Sequence, residues 1–169
     1  MDDIQTCALL KYLVKHKLID DHQFGFMPNK STTQQLVYLT DTWTRALDAG
    51  KSVIATVLDF EKAFDKVWHS ALLHKLELSG LLPSALGWLE SYLYDRKIVV
   101  VVESVCSNSY RINSGIPQGS HLGPVLLVVF INDMLTSVKV PAEHYADDAL
   151  LYQTVRSYAR DQDIRYSKA

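Results

Sequence analysis

Two adjacent carboxylates, Asp147 and Asp148, close the tetrapeptide Tyr145-Ala-Asp-Asp148, and short apolar runs flank it. Like charges ~4 Å apart repel by on the order of 4 kcal/mol at an effective dielectric of about 20. A fold that holds them together calls for a cation, and an all-oxygen donor set suits Mg²⁺. A third carboxylate, Asp59, ends the apolar run Ser52-Val-Ile-Ala-Thr-Val-Leu58, which reads as a buried strand. An unpaired carboxylate at such a position is costly, so Asp59 is a candidate third ligand. Plainer readings stand beside these. Asp-Asp at a hairpin bend commonly caps its own backbone amides, and Asp59 also suits the N-cap of a helix starting near Glu61.

A second constellation is Ser114-Gly-Ile-Pro-Gln-Gly-Ser-His-Leu-Gly-Pro124. Gly115 and Gly119 leave room for a ligand to approach the backbone, Pro117 stiffens the loop, and Gln118 offers a donor and an acceptor. A plain loop entering a helix accounts for the glycines and the proline, but gives no reason for Gln118.

The elements that must position these groups follow from periodicity and punctuation. Asp2 or Asp3 caps a helix carrying Ile4, Cys7, Ala8, Tyr12 and Leu18 at helical spacing. Gln23-Phe-Gly-Phe-Met-Pro-Asn-Lys30 is a loop. Ser31 or Thr32 caps a second helix with Leu36, Leu39, Trp43, Ala46 and Leu47 on one stripe, and Gly50 ends it. After the strand ending at Asp59, helices are expected around Ala71 to Leu78 and Ser84 to Tyr94, then a β-branched strand from Ile98 to Glu103. A strongly apolar helix runs through Met134, with Asn132-Asp133 expected to end it and support the core. A hairpin from His144 to Tyr152 bends at Asp147-Asp148. From Val155 to Ala169 the chain turns polar and charged, as a frayed tail or the stump of something longer does.

The 169 residues suffice for one sizeable core. Hydrophobic content of 48% and charged content of 21% are those of an ordinary globular protein. No apolar stretch reaches the ~20 residues of a membrane span, and no signal peptide is visible behind Met1-Asp-Asp3. Cys7 and Cys106 match no metal or redox spacing, which suits an intracellular setting, nucleus or cytoplasm alike. A net charge of −2 would not by itself suggest nucleic acid, and any basic groove must be made by folding.

Taken in order, the motifs resemble the reverse transcriptase domain of non-LTR retrotransposons, the long interspersed element type. Gln23-Phe-Gly-Phe26 with Ser31-Thr32 resembles the fingers motif, and the stretch from Asp59 to Asp65 the first palm motif. Gly115-Ile-Pro-Gln-Gly-Ser120 resembles the second palm motif and Tyr145-Ala-Asp-Asp148 the third. Ser91-Tyr-Leu93 and Phe130-Ile-Asn-Asp133 are similar as well, so the likeness runs from about Leu10 to Tyr152.

The resemblance implies an α+β fold, a right-hand polymerase fingers–palm fragment with an antiparallel palm sheet, packed helices and no thumb. It puts fingers at residues ~1–50 and ~67–121, palm at ~51–66 and ~122–155, and a polar tail at ~156–169, with boundaries good to a few residues. The implied activity is RNA-directed DNA synthesis on an RNA template with a DNA primer, from deoxynucleoside triphosphates. Asp59, Asp147 and Asp148 would hold two Mg²⁺ ions, with Mn²⁺ as substitute and the Phe60 carbonyl as a further ligand. Phe64 would be the steric gate beneath the incoming sugar, Gln118 and Gly119 would meet the nucleotide, and Lys30 a phosphate. A core aromatic is the plainer account of Phe64, and a solvated surface lysine that of Lys30.

Two departures from the family pattern are visible. Met27 stands where the family usually has an arginine on the triphosphate, and methionine cannot pair with phosphate. The later palm motif, the thumb and the endonuclease part of the longer polyprotein are not in these residues. A non-catalytic remnant that binds nucleic acid weakly is therefore one alternative. An RNA-directed RNA polymerase is another, disfavoured by Phe64, since those enzymes usually carry a polar residue there.

Overall fold

The computed structural model describes residues 2–156. In chain order it has α1 (Asp2–Lys15), α2 (Thr32–Asp48), β1 (Lys51–Leu58), a short 3-10 turn (Ala63–Lys66), α3 (His69–Leu78) and α4 (Pro83–Leu93). Four two-residue strands follow: β2 (Lys97–Ile98), β3 (Val101–Val102), β4 (Val105–Cys106) and β5 (Tyr110–Arg111). Then come α5 (Leu122–Ser137), β6 (Ala142–Tyr145) and β7 (Asp148–Arg156). The expected polar tail beyond Arg156 lies outside the described residues. No helix among the described residues is long and apolar enough to cross a membrane.

The chain forms two compact units, one of residues up to Asp20 and Phe60–Asn132, the other of Asp21–Asp59 and Asp133 onward. The first is helical. Leu13, Leu72, Leu76, Leu89, Leu122 and Leu126 are fully buried in it. The α5 segment is apolar all round, as a helix buried on every side must be. The Tyr12 hydroxyl donates to the Ser79 carbonyl (3.0 Å), tying α1 to the end of α3. Asn132 does not end α5, which continues to Ser137. Its side chain instead donates to the Leu18 carbonyl (3.0 Å) and accepts from the Asp20 amide (2.8 Å), satisfying the turn after α1.

The expected strand from Ile98 to Glu103 is broken. Lys97–Ile98 pairs with Tyr110–Arg111, and Val101–Val102 pairs with Val105–Cys106. Glu103 and Ser104 both take positive φ (49° and 68°), as a two-residue hairpin turn of the primed type demands. Between the pieces the Val100 amide donates to the Ser107 hydroxyl (3.0 Å). The β-branched run is therefore one arm of a folded ribbon.

The second unit is an antiparallel sheet of order β1-β7-β6 with α2 against β1. The Ser31 hydroxyl caps α2 by accepting from the Gln34 amide (3.2 Å). Its buried residues are Gln35, Leu39 and Ala46, while Leu36 and Leu47 of the expected stripe are exposed. The β1 strand corrects a further expectation. It reads as buried, yet Ile54, Val57 and Leu58 are 58%, 70% and 44% exposed among the described residues. An apolar strand face is covered only where another layer lies over it, and among the described residues β1 is an edge strand bonded only to β7.

Candidate functional site

The sheet brings the three predicted aspartates to one end. Strand β1 pairs with β7 from Lys51↔Arg156 to Leu58↔Ala149 without a slip. One residue past that last pair stand Asp59 on one chain segment and Asp148 on the other. Directly opposed residues of an antiparallel pair lie about 4.5–5.5 Å apart at Cα. On the other side β6 pairs with β7 as far as Tyr145↔Asp148, leaving Ala146-Asp147 as a two-residue turn. Asp59 and Asp148 are exposed and Asp147 is half-buried. The backbone register thus places three aspartates, from segments far apart in the chain, at one sheet end.

Among the described residues, no three His, Cys, Asp or Glu side chains already lie close enough to enclose a metal ion. The donor chemistry nonetheless fits one. All three groups are hard, anionic oxygens at a solvent-facing edge, the set a Mg²⁺-type ion takes while keeping part of its water.

The turn itself is unusual. Ala146 has φ +57° and is buried, at the first central position, where hairpins with positive φ ordinarily place glycine. Residues 22–25 lie alongside β6. The Phe24 amide donates to the His144 carbonyl (2.8 Å) and the His144 amide to the His22 carbonyl (2.9 Å). His22 Nδ1 meets the buried Glu143 carboxylate at 2.8 Å. Behind them Tyr152 is buried, and burial, followed by its hydrogen bond with Tyr38, pushes its hydroxyl well above the usual phenol range. Lys30 also belongs to this unit. Its ammonium donates to the Asp21 carbonyl and stands 5.0 Å from the centre of the Phe24 ring. It therefore has local partners as it stands.

The other predicted residues belong to the first unit, in its Phe60–Asn132 segment. Phe64 is half-buried on the 3-10 turn. The loop of the second motif is stitched to that turn: the Ile116 amide donates to the Phe64 carbonyl and the Gly115 amide to the Val67 carbonyl, both at 2.8 Å. Gly115 has φ +87°, and a Cβ there would lie 3.0 Å from the Asp65 carbonyl oxygen, so a side chain would be strained and crowded against backbone. Gln118 is exposed and its amide donates to Asp65 Oδ1 (3.1 Å), while Gly119 is exposed with φ +80°. Asp65, at the end of the first palm motif, thus holds the candidate Gln118. His69 Nε2 meets the Gly115 carbonyl at 2.7 Å, bracing the same loop.

Residues 4–161 match the family model described as reverse transcriptase (RNA-dependent DNA polymerase). The chain belongs to the reverse transcriptase family. It is 38% identical over 152 residues to the probable RNA-directed DNA polymerase from transposon BS of Drosophila melanogaster, covering 84% of this chain and 17% of that protein. To the RNA-directed DNA polymerase from mobile element jockey of the same species it is 36% identical over 149 residues, covering 88% and 16%. A Pol polyprotein of the type-1 retrotransposable element R2 from Popillia japonica is 29% identical over 133 residues, covering 71% and 21%. The chain thus spans about a sixth of the length of the first two. Among solved structures, telomerase from Candida albicans aligns with a TM-score of 0.66 at 13% identity, over 96% of this chain and 32% of that one. That likeness concerns the fold, and it agrees with a polymerase fingers–palm fragment of mixed helix and sheet. The non-LTR retrotransposon lineage expected from the motifs stands. The transposon BS and jockey relatives are RNA-directed DNA polymerases, which supports a reverse transcriptase domain and not an RNA-directed RNA polymerase.

Proposed function

We propose that this chain is the nucleotidyl-transfer portion of a retrotransposon reverse transcriptase, extending a DNA primer on an RNA template. One observation carries the reading. The β1–β7 register and the β6–β7 turn deliver Asp59, Asp147 and Asp148 to one sheet end, in the chain order of the family's motifs. Divalent ions bound there would make the primer 3′-hydroxyl a better nucleophile and stabilise the negative charge on the phosphates. Asp59 and Asp147 are the firm ligands in this reading, with Asp148 and the Phe60 carbonyl completing the set.

The reaction joins the primer 3′-oxygen to the α-phosphorus of a deoxynucleoside triphosphate, and pyrophosphate leaves. The remaining residues select and hold. The Phe64 ring meets the sugar edge and clashes with a 2′-hydroxyl, favouring deoxynucleotides. Gln118, oriented by Asp65, faces the nucleotide, and Gly119 lets the backbone come close. Lys30 meets a phosphate on leaving the Asp21 carbonyl. Residues ~51–66 and ~122–155 are assigned to the palm and ~1–50 and ~67–121 to the fingers. One specific residue favours the weaker alternative of a remnant that binds but does not polymerise: Met27 offers no charge to the triphosphate.

Primer extension on an RNA template by the purified chain tests the proposal, with Asp147→Asn as control. The expected result is deoxynucleotide incorporation that the substitution abolishes. No incorporation by the unsubstituted chain would refute catalysis by these residues alone.

A further inference from the structure

The segment that resembles the fingers motif is hydrogen-bonded to the turn that carries the aspartate pair. Gln23 is only 2% exposed. Its side chain grips both backbone groups of Ala146: Nε2 donates to the Ala146 carbonyl (3.3 Å) and Oε1 accepts from the Ala146 amide (3.1 Å). The same Oε1 accepts from the Gly25 amide (2.8 Å). The side-chain amide thus acts as an extra peptide unit laid across the turn. Gly25 is packed equally close. A Cβ there would fall 2.0 Å from the Ala146 nitrogen, against backbone that has no rotamer to change. Ala146 meanwhile holds φ +57°, a left-handed conformation that is uncommon and strained for a residue with a Cβ.

Together these observations supply a restraint on Ala146. We propose that Gln23 is a positioning residue for the catalytic turn. It locks Ala146 in the left-handed conformation, with Gly25 giving it room, and so sets where Asp147 and Asp148 stand. Its role in metal binding rests on the reading of those aspartates given above. Its grip on the turn does not. Neither alanine nor glutamate can replace it fully: alanine leaves the Ala146 amide and carbonyl and the Gly25 amide without this partner, and a carboxylate accepts but cannot donate to the carbonyl.

Mn²⁺ titration of the full chain followed by electron paramagnetic resonance, together with amide hydrogen exchange by NMR, tests this on Gln23→Ala, Gln23→Glu, Gly25→Ala and Asp147→Asn. Removing a residue that orients metal ligands characteristically weakens binding roughly 10- to 100-fold. That loss is expected for Gln23→Ala and Gly25→Ala, with exchange at the Ala146 amide accelerated while protection in α5 is kept. Gln23→Glu supplies the readout that a merely structural role would not move. Its deficit, taken as a ratio to the unsubstituted chain to cancel shared titration of His22, Glu143 and His144, should shrink as pH falls and the protonated acid regains its donor. Unchanged Mn²⁺ affinity and unchanged Ala146 protection in folded Gln23→Ala would overturn the proposal. If that variant does not fold, a pH-independent deficit in Gln23→Glu would do so. If the unsubstituted chain and Asp147→Asn bind Mn²⁺ alike, the metal assignment falls, and Ala146 exchange alone decides on the clamp.

Discussion

Tyr152 couples the back of the sheet to pH. Its hydroxyl is held above its ordinary value by burial and by the Tyr38 hydrogen bond, so the folded state keeps the proton after the unfolded chain has released it. A raised folded pKa means stability that is complete below the unfolded value of about 10 and is lost as pH rises beyond it. Tyr152→Phe should cost about 1 kcal/mol near pH 7 through the lost hydrogen bond, yet flatten the alkaline decline. Urea melts at pH 7 and above pH 10 would read both effects. Met27 is the other informative single residue. It is half-buried in the loop before α2, where a guanidinium would add charge-assisted bonds to a triphosphate. Such a bond is worth roughly 1.5–3 kcal/mol, or about tenfold and more in affinity. Met27→Arg should lower KM for the deoxynucleotide by that order in steady-state primer extension, and an unchanged KM would remove Met27 as the weak point.

Two apolar elements of similar composition have opposite burial. Strand β1 carries exposed Val57, whereas α5 carries fully buried Leu126. Val57→Thr should therefore change stability by no more than ~0.5 kcal/mol, while Leu126→Ala should cost about 2–5 kcal/mol through lost transfer energy and a cavity. Denaturant midpoints at constant m-value would measure the contrast. A large loss at Val57 would mean that β1 is covered in solution. Hydrophobic composition alone does not separate these two elements. The separation comes from burial: among the described residues β1 is bonded only to β7 and exposes Ile54, Val57 and Leu58, whereas Leu122 and Val125–Val129 of α5 are buried.

For the molecule as a whole, the testable property is linkage between metal and folding. Three carboxylates at one sheet end exist as a set only in the folded chain, so Mn²⁺ should bind the native state in preference to the unfolded one. At a concentration 100 times the dissociation constant, mass action adds about 2.7 kcal/mol of stability. A concentration-dependent rise in Tm is expected with Mn²⁺, and Asp147→Asn should abolish it. Equal shifts in both chains would show that the cation acts elsewhere.

The chemistry of single residues was legible in the amino-acid order, and so was most local structure. The Ser31 cap, the five α-helices of the described residues and a hairpin near Asp147 follow from capping chemistry, periodicity and turn signals acting over a few residues, although the turn is Ala146-Asp147, one residue before the expected bend at Asp147-Asp148. The motif order also pointed to the family that the comparisons confirm. Convergence was not legible. Nothing local to Asp59 says which strand lies beside β1, because strand pairing is settled by long-range competition among burial patterns. The broken ribbon after Ile98 and the continuation of α5 past Asn132 show the same override of local signals by tertiary partners. Gln23 is the clearest instance. An amide in a loop has no distinctive pattern in sequence, and only folding shows its donor and acceptor both closed upon Ala146.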